Sequence, residues 1–358
     1  MQRILIFNYN WLGDVIFSTP AIRAIKKAYP DSYIACLVVP RCCQILEANP
    51  HIDEVIDFDE TGLHKSLRGK IKLIKELRLK KFDIAFIFHR SFTRALMMLL
   101  SRIPWRIGYT TKRRGWILTC SLGEPKKPIH KVNYLLNLVK ASTLWWEEKD
   151  KIKKTDAVKA ELELSVPEEG DEDYEFVVSE DMITVAGKIL QDCGLENTGD
   201  KFAVLNPGAN WPPKRWTIDN FAQTGDLITE KTGMPIVITG AEKDKETAKA
   251  IAAKMKKKPV ITCGRTDINI LAGILRLSDI VVTADSGPMH LAVAVGARVV
   301  TIFGPTSPEL SGPKGKGIYK ILHQYIECPV PCYDQTCTDN ICMRLTKPEE
   351  VIEAILEV

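Results

Sequence analysis

Three observations predict an α/β protein built from two tandem halves. Short apolar runs alternate with amphipathic stretches of helical length, the pattern of repeated βαβ units with a parallel sheet. The alternation breaks once, in an acidic, weakly periodic stretch over 156–175, and then resumes. The length of 358 residues suits two domains, each with its own core.

The first half opens with a buried strand over 3–8 and a helix over 15–28 that carries Pro20 inside its first turns. Strands follow at 33–39, 54–58, 83–88 and 106–109, with helices at 67–79 and 91–101 between them. In the second half, strands are read at 202–206, 235–239, 280–283 and 298–303, with helices at 218–231, 243–255 and from about Ser286. A short helix over 348–356 closes the chain, with Pro348 near its start and Glu349 and Glu350 in its first turn. The expected division is a first domain over 1–165, an acidic linker region over 166–200, a second domain over 201–345 and a C-terminal helix over 346–358.

Hydrophobic residues make up 45% of the chain and charged residues 26%, which excludes collagenous, low-complexity and wholly disordered classes. No run approaches the ~18 uncharged apolar residues of a membrane helix. The apolar start turns polar at Asn8, too early for a signal-peptide core, so a cytoplasmic location is expected. The net charge of +4 hides an asymmetry: residues 65–114 hold 15 Lys/Arg against Glu76 and Asp83, whereas 156–181 hold 11 acids and one cation, Lys159. Such a basic block suits an anionic partner: nucleic acid, a phosphorylated membrane surface or an acidic glycolipid. The cations of 65–81 also fit an ordinary solvated helix face, but Arg90, Arg94, Arg106, Lys112, Arg113 and Arg114 fall after a strand or in loops. Nucleic-acid binding would need exposed aromatics among the charges, and several of the block's aromatics lie in strands.

Tandem α/β halves hold ligands at the carboxyl ends of their strands. The first strand ends in Asn8-Tyr9-Asn10-Trp11-Leu12-Gly13-Asp14, with one glycine and no G-x-G-x-x-G; neither that fingerprint after 202–206 nor a P-loop anywhere is present. Dehydrogenases and P-loop NTPases are thereby disfavoured. Asp14 stands at a helix N-terminus, as a helix-stabilising acid or as a general base. The second half opens with Asn206-Pro207-Gly208-Ala209 and Lys214-Arg215-Trp216, a strand running into a stiff loop. Its Gly208 permits close backbone approach and its Lys214 supplies a charge for a diphosphate. Gly240 ends the next strand, and Glu242 either accepts from a sugar hydroxyl or caps the following helix. Asp285-Ser286-Gly287-Pro288-Met289-His290 marks a strand-to-helix junction whose free amides favour a phosphate, or a simple N-cap with a structural His290.

Taken together, Trp11-Leu12-Gly13-Asp14, Asn206-Pro207-Gly208-Ala209, Lys214-Arg215-Trp216, Asp285-Ser286-Gly287-Pro288-Met289-His290 and Phe303-Gly304-Pro305-Thr306-Ser307-Pro308 resemble the lipopolysaccharide heptosyltransferases of glycosyltransferase family 9. Arg90-Ser91-Phe92 and Arg106-Ile107-Gly108-Tyr109 place the resemblance nearest the type II members. The resemblance implies a GT-B fold of two facing Rossmann-like domains with a deep interdomain cleft. It also implies an inverting transfer of L-glycero-D-manno-heptose from ADP-heptose to the anionic, heptosyl-Kdo inner core of a lipid A acceptor, with peripheral contact at the inner leaflet of the inner membrane and no nucleic-acid partner. Asp14 and Lys214 would be catalytic. The donor would meet Gly13, Pro207, Gly208, Ala209, Lys214, Trp216, Gly240, Glu242, Thr266, Asp285, Ser286, Gly287 and His290. The acceptor would meet Arg90, Ser91, Arg94, Arg106, Lys112 and Arg113. No cofactor and no metal is implied; Asp57-Phe58-Asp59 ends a strand on the acceptor side. Alternatives with the same fold are a first or third heptosyltransferase or another nucleotide-sugar transferase, and one from a different class is a non-catalytic nucleotide-sugar-binding protein.

Cys328, Cys332, Cys337 and Cys342 lie within fifteen residues without the C-x-x-C knuckles of most structural zinc sites, so metal binding by them stays open.

Overall fold

The computed structural model describes residues 1–148, 170–196, 199, 201–334 and 336–358. The chain forms two units, Met1–Glu172 and Asp173–Val358.

The first unit holds strands β1 (Arg3–Phe7), β2 (Tyr33–Val38), β3 (Glu54–Asp57), β4 (Ile84–Ile87), β5 (Trp105–Tyr109) and β6 (Cys120–Leu122), with helices α1 (Leu12–Ala28), α2 (Leu67–Leu79), α3 (Phe92–Leu100) and α4 (Lys131–Glu148). All pairings are parallel, in the order β3-β2-β1-β4-β5-β6. Helices on both faces of a parallel sheet bury its central strands, hence the uninterrupted Ile4-Leu5-Ile6-Phe7, all without solvent exposure.

Helix α1 runs through Pro20. Proline has no N–H for the carbonyl four residues back; here that carbonyl, Ile16 O, accepts instead from the Thr19 hydroxyl at 2.8 Å. The helix that begins at the end of β1 therefore keeps a satisfied backbone on a buried face.

The second unit repeats the plan with β7 (Ala203–Asn206), β8 (Ile236–Ile238), β9 (Val260–Ile261), β10 (Ile280–Ala284), β11 (Val299–Phe303) and β12 (Tyr319–His323). Its order, β12-β11-β10-β7-β8-β9, is the same topology, again all parallel. Its helices are α5 (Glu180–Asp192), α6 (Ile218–Thr232), α7 (Lys245–Lys254), α8 (Ile268–Leu277), α9 (Gly287–Ala294), α10 (Pro308–Ser311), α11 (Ile341–Arg344) and α12 (Pro348–Glu357). Gly233 ends α6 in the left-handed conformation, φ 75°. Helix α12 packs on α6 and closes the core around Phe221, Ile228, Val351 and Ile355.

Within the region expected as an acidic linker, 166–200, the structure places α5 instead of open chain. Two of its three acids, Glu180 and Asp181, lie in the first turn, where they suit a helix N-terminus, and Ser179 caps it by accepting from Met182 N. Ala186 and Leu190 are buried, and Gly273 of α8 lets α5 approach: a Cβ there would lie 2.6 Å from Met182 O. Acidic composition masked a helical repeat. Residues 149–169, most of the stretch read as the break between halves, lie outside the described residues. Among the described residues no helix is long and apolar enough to cross a membrane.

Candidate functional site

In each unit the strand order reverses beside the first strand, between β1 and β4 and between β7 and β10, and such a switch point is where α/β sheets bind ligands. The loops that leave these four strands carry most of the residues singled out above.

After β1, the chain enters α1 so early that Asp14 lies in its first turn, half-buried. Lys131 Nζ, at the start of α4, donates to Asp14 Oδ1 at 2.6 Å and fixes the carboxylate's orientation. Burial, and then the charge of Asp14, push the Tyr9 phenol above its ordinary range, so a neutral hydroxyl stands near that carboxylate. Gly13 is half-buried one residue before Asp14. Neither Lys131 nor Tyr9 was expected to take part. Lys131 carries no motif and meets Asp14 across 117 residues of sequence.

The loop between β1 and α1, just ahead of Asp14, is held from within. Arg94 donates to Asn8 O at 2.8 Å, to Glu60 Oε2 at 3.0 Å and to Asn10 Oδ1, while Asn10 Nδ2 donates to Glu60 Oε1 at 2.6 Å. The guanidinium lies over the Phe7 and Phe58 rings, and burial lowers its pKa to about 10. Arg94 was expected to meet the acceptor; it is instead an internal brace, because its donors are already taken by the protein. Arg106 differs from expectation in the same way, its Nε donating to Ile117 O at 2.7 Å and its Nη1 to Ile103 O at 2.6 Å. Arg114 has no exposure and donates to carbonyls that include Tyr109 O and His89 O. The exposed cations among those singled out from the sequence are Arg90, paired with Glu124, and Lys112 and Arg113, two consecutive residues in the left-handed region at φ 50° and 57°. Ser91 is half-buried, its N–H donating to His89 Nδ1 at 3.1 Å. His89 is pushed down to about 4 by burial and then by the charges of Arg94, Arg114 and Lys112.

In the second unit, Lys214 and Asp285 come from the loops after β7 and β10 and meet across the switch point: Lys214 Nζ donates to Asp285 Oδ2 at 2.6 Å. Thr306, beyond β11, donates to the same oxygen at 2.6 Å. Asp285 is 6% exposed and Lys214 21%. Beside them, Ser286 is the N-cap residue of α9, yet its hydroxyl lies 3.2 Å from Thr283 Oγ1 and makes no capping bond. The first-turn N–H groups of Gly287 and Met289, on either side of Pro288, which has none, thus receive no side-chain cap from Ser286, an arrangement suited to an anion. Thr306 was part of the quoted motif without a role.

The remaining positions of the second unit pack within it or lie at its surface. Trp216 is buried, edge-on to Phe221, with Nε1 donating to Thr346 O at 3.1 Å; it is core. His290 is buried and T-stacked on Tyr174. Gly208 does serve a close approach, but to the protein itself: a Cβ there would lie 2.8 Å from Asp244 Oδ2. At Gly240 a Cβ would lie 2.9 Å from Asp244 Cβ. Asp244, whose Oδ2 accepts from Ala241 N at 2.9 Å, is the buried centre of these loops and was overlooked because its packing partners are glycines. Pro207 and Ala209 are buried in the same loop, and Ala209 O accepts from Arg215 Nε at 2.9 Å. Glu242 is exposed and pairs with Lys245 at 2.8 Å. Thr266 is half-buried beside Asp267, the N-cap of α8.

Among the described residues no three His, Cys, Asp or Glu side chains are gathered to hold a metal. Asp57 accepts from Cys43 Sγ, and Asp59 caps Gly62 N and Leu63 N. The cysteine-rich segment packs on the loop after β11. Cys332 N donates to Pro305 O at 2.7 Å, and a Cβ at Gly304 would lie 2.4 Å from Met343 Sδ.

Two Rossmann-like units in tandem, each with polar groups collected at its switch point, define a protein of the GT-B class. The model of glycosyltransferase family 9 (heptosyltransferase) matches residues 70–341, so the chain belongs to that family and is a glycosyltransferase. It is 25% identical over 362 residues to the lipooligosaccharide heptosyltransferase 2 of Campylobacter jejuni subsp. jejuni serotype O:6, covering 99% of this chain and 98% of that one. The solved structure of the glycosyl transferase family 9 protein from Veillonella parvula is similar with a TM-score of 0.82 at 24% identity, covering 100% and 98%. That of the Escherichia coli ADP-heptose LPS heptosyltransferase II is similar at 0.77 and 23%, covering 100% and 99%.

Proposed function

We propose that this glycosyltransferase moves L-glycero-D-manno-heptose from ADP-heptose to the heptosyl-Kdo inner core of lipopolysaccharide, inverting the anomeric carbon. The observation that carries the reading is Asp14: a half-buried carboxylate at the carboxyl end of β1, beside the switch point and oriented by Lys131. Asp14 takes the proton of the acceptor hydroxyl as that oxygen attacks the anomeric carbon. The bond from that carbon to the diphosphate breaks in the same displacement, and ADP leaves. Lys214, with the uncapped amides of α9, neutralises the charge that builds on the departing diphosphate. Arg90, Lys112 and Arg113 meet the anionic core sugars. Support comes from the relatives named heptosyltransferase 2 and from the placement of Lys214 and Asp285 in one cluster. Since the acceptor is lipid-borne, the reaction takes place at a membrane surface.

The test is ADP release from ADP-heptose with acceptors bearing zero or one heptose. Release with the mono-heptosylated acceptor alone is expected; release with the heptose-free acceptor alone would make the chain a first-heptose enzyme. Asp14→Asn should lower turnover by about a thousandfold or more while ADP-heptose still binds. Unchanged turnover would remove Asp14 from the chemistry.

A further inference from the structure

The basic block leaves a surplus once its internal members are set aside. Arg94, Arg106 and Arg114 point into the protein, yet residues 65–81 still hold eight Lys/Arg against one acid, Glu76. Most of these lie on or beside α2, whose Leu73, Ile74 and Leu77 are buried, with α3 as its neighbouring helix. The opposite face is not purely polar. Leu67 is 74% exposed and Ile71 44%, one helical turn apart, and Leu63, ahead of the helix, and Leu79, its last residue, are exposed as well. Leu100 is exposed where Arg78 Nε donates to its carbonyl at 2.7 Å. Leu67 and Ile71 thus form an exposed apolar pair flanked by long cations, the combination that an amphipathic helix presents to a membrane surface.

The other side-chain contacts of these cations are few. Lys80 pairs with Glu54 at 2.5 Å, Lys70 donates to Lys65 O at 2.7 Å, and Lys72 lies 3.9 Å from Glu76. Arg68, Lys72 and Lys75 are exposed on the face that carries Ile71 and Leu79. Residues 65–81 contain no aromatic side chain, so the stacking platform of a single-stranded nucleic-acid site is missing.

We infer that the exposed face of α2 is a docking surface for an anionic lipid bilayer, with Leu63, Leu67, Ile71 and Leu79 entering the acyl boundary and Arg68, Lys72 and Lys75 meeting the headgroups. An in-plane helix combining apolar insertion with cations on long, flexible stems is the physical solution for such a surface. This extends the proposed transfer to a lipid-borne acceptor, but vesicle binding needs no turnover, so the two readings fail separately.

The test is co-sedimentation of the full chain with vesicles of phosphatidylcholine alone or with about one-third phosphatidylglycerol. Binding is expected to the anionic vesicles only, weakening as salt rises from about 0.1 to 0.5 M. Arg68→Gln/Lys72→Gln/Lys75→Gln should weaken it by about a hundredfold, at about fivefold per cation. Leu67→Ser/Ile71→Ser should weaken binding while leaving its salt dependence as in the parent, a split that loss of charge would not give. All these positions are exposed, and circular dichroism of each variant checks its fold. Equal binding to both vesicle types, or variants that bind as the parent does, would overturn the proposal. So would binding of a 20-nucleotide RNA through the same cations without any vesicle binding.

Discussion

Both sheets reverse strand order at the same place, but the cations near the two switch points are employed differently. Arg94, after β4, is buried and already donates to the Asn8 carbonyl, to Asn10 and to Glu60, so the loop beneath Asp14 is held from inside. Lys214, after β7, is partly exposed and meets one carboxylate oxygen that Thr306 shares. A cation at a strand end is therefore a ligand group only to the extent that the protein has left its donors unspent.

Replacing the cations one at a time would sharpen that contrast, and Lys214→Met should have the largest consequence. Transfer is expected to fall by about a hundredfold to a thousandfold, the range for removal of one preorganised charge-stabilising donor. The chain should also lose about 2 kcal/mol of stability, because Asp285 stays buried with a single hydroxyl donor on that oxygen. Adding Asp285→Asn should restore most of the stability and none of the turnover, as read by urea unfolding and ADP release. Recovery of both would reduce the pair to a structural one.

Arg94→Met should instead cost about 3 kcal/mol in urea unfolding, the lower end for breaking a buried pair because Glu60 is 32% exposed. Here Glu60→Gln should not rescue, since the Asn8 carbonyl and Asn10 still lose their donor. A wild-type unfolding midpoint would refute the brace.

Gly208→Ala comes next, at about 1–3 kcal/mol, because its methyl must displace the Asp244 carboxylate. Thermal unfolding reads this loss; an unchanged Tm would show that the loop yields freely. The smallest effect concerns His89. Its folded value near 4 lies below the ordinary 6.5, so the native state favours the neutral ring. Nothing is lost above about pH 6.5. Between there and pH 4 the unfolded chain takes up the proton first, and stability should fall by less than about 2 kcal/mol once solvent screening is allowed for. His89→Gln should flatten that slope in denaturation curves between pH 4 and 7.

The tandem α/β plan was legible because central parallel strands read as mostly apolar runs, as in Ile4-Leu5-Ile6-Phe7 and, with Thr301 alone polar, Val299–Phe303. The pieces not read were of two kinds. Strands such as β6 and β9 span three and two residues, too few for any period to show. Helix α5 lay under an acidic composition, and α4, α8 and β12 were not marked at all. At the site, motif residues at strand ends came out together where loops are short, as with Lys214 and Asp285. Partners supplied from far along the chain did not, because nothing local distinguishes Lys131 from the other lysines of its region, nor Glu60 from an ordinary surface acid. Arg94 and Arg106 were misread for the complementary reason: a sequence shows a charge but not which carbonyls are waiting for it.

The crowding around Asp244 reaches further than a single substitution. Its carboxylate fills the space that side chains at Gly208 and Gly240 would need, and its Oδ2 accepts from Ala241 N. The loops after β7 and β8 thereby meet on one buried side chain. Sequence drift at any of the three positions must be concerted, and pressure from a bound ligand on one loop is transmitted to its neighbour as displacement rather than absorbed as slack.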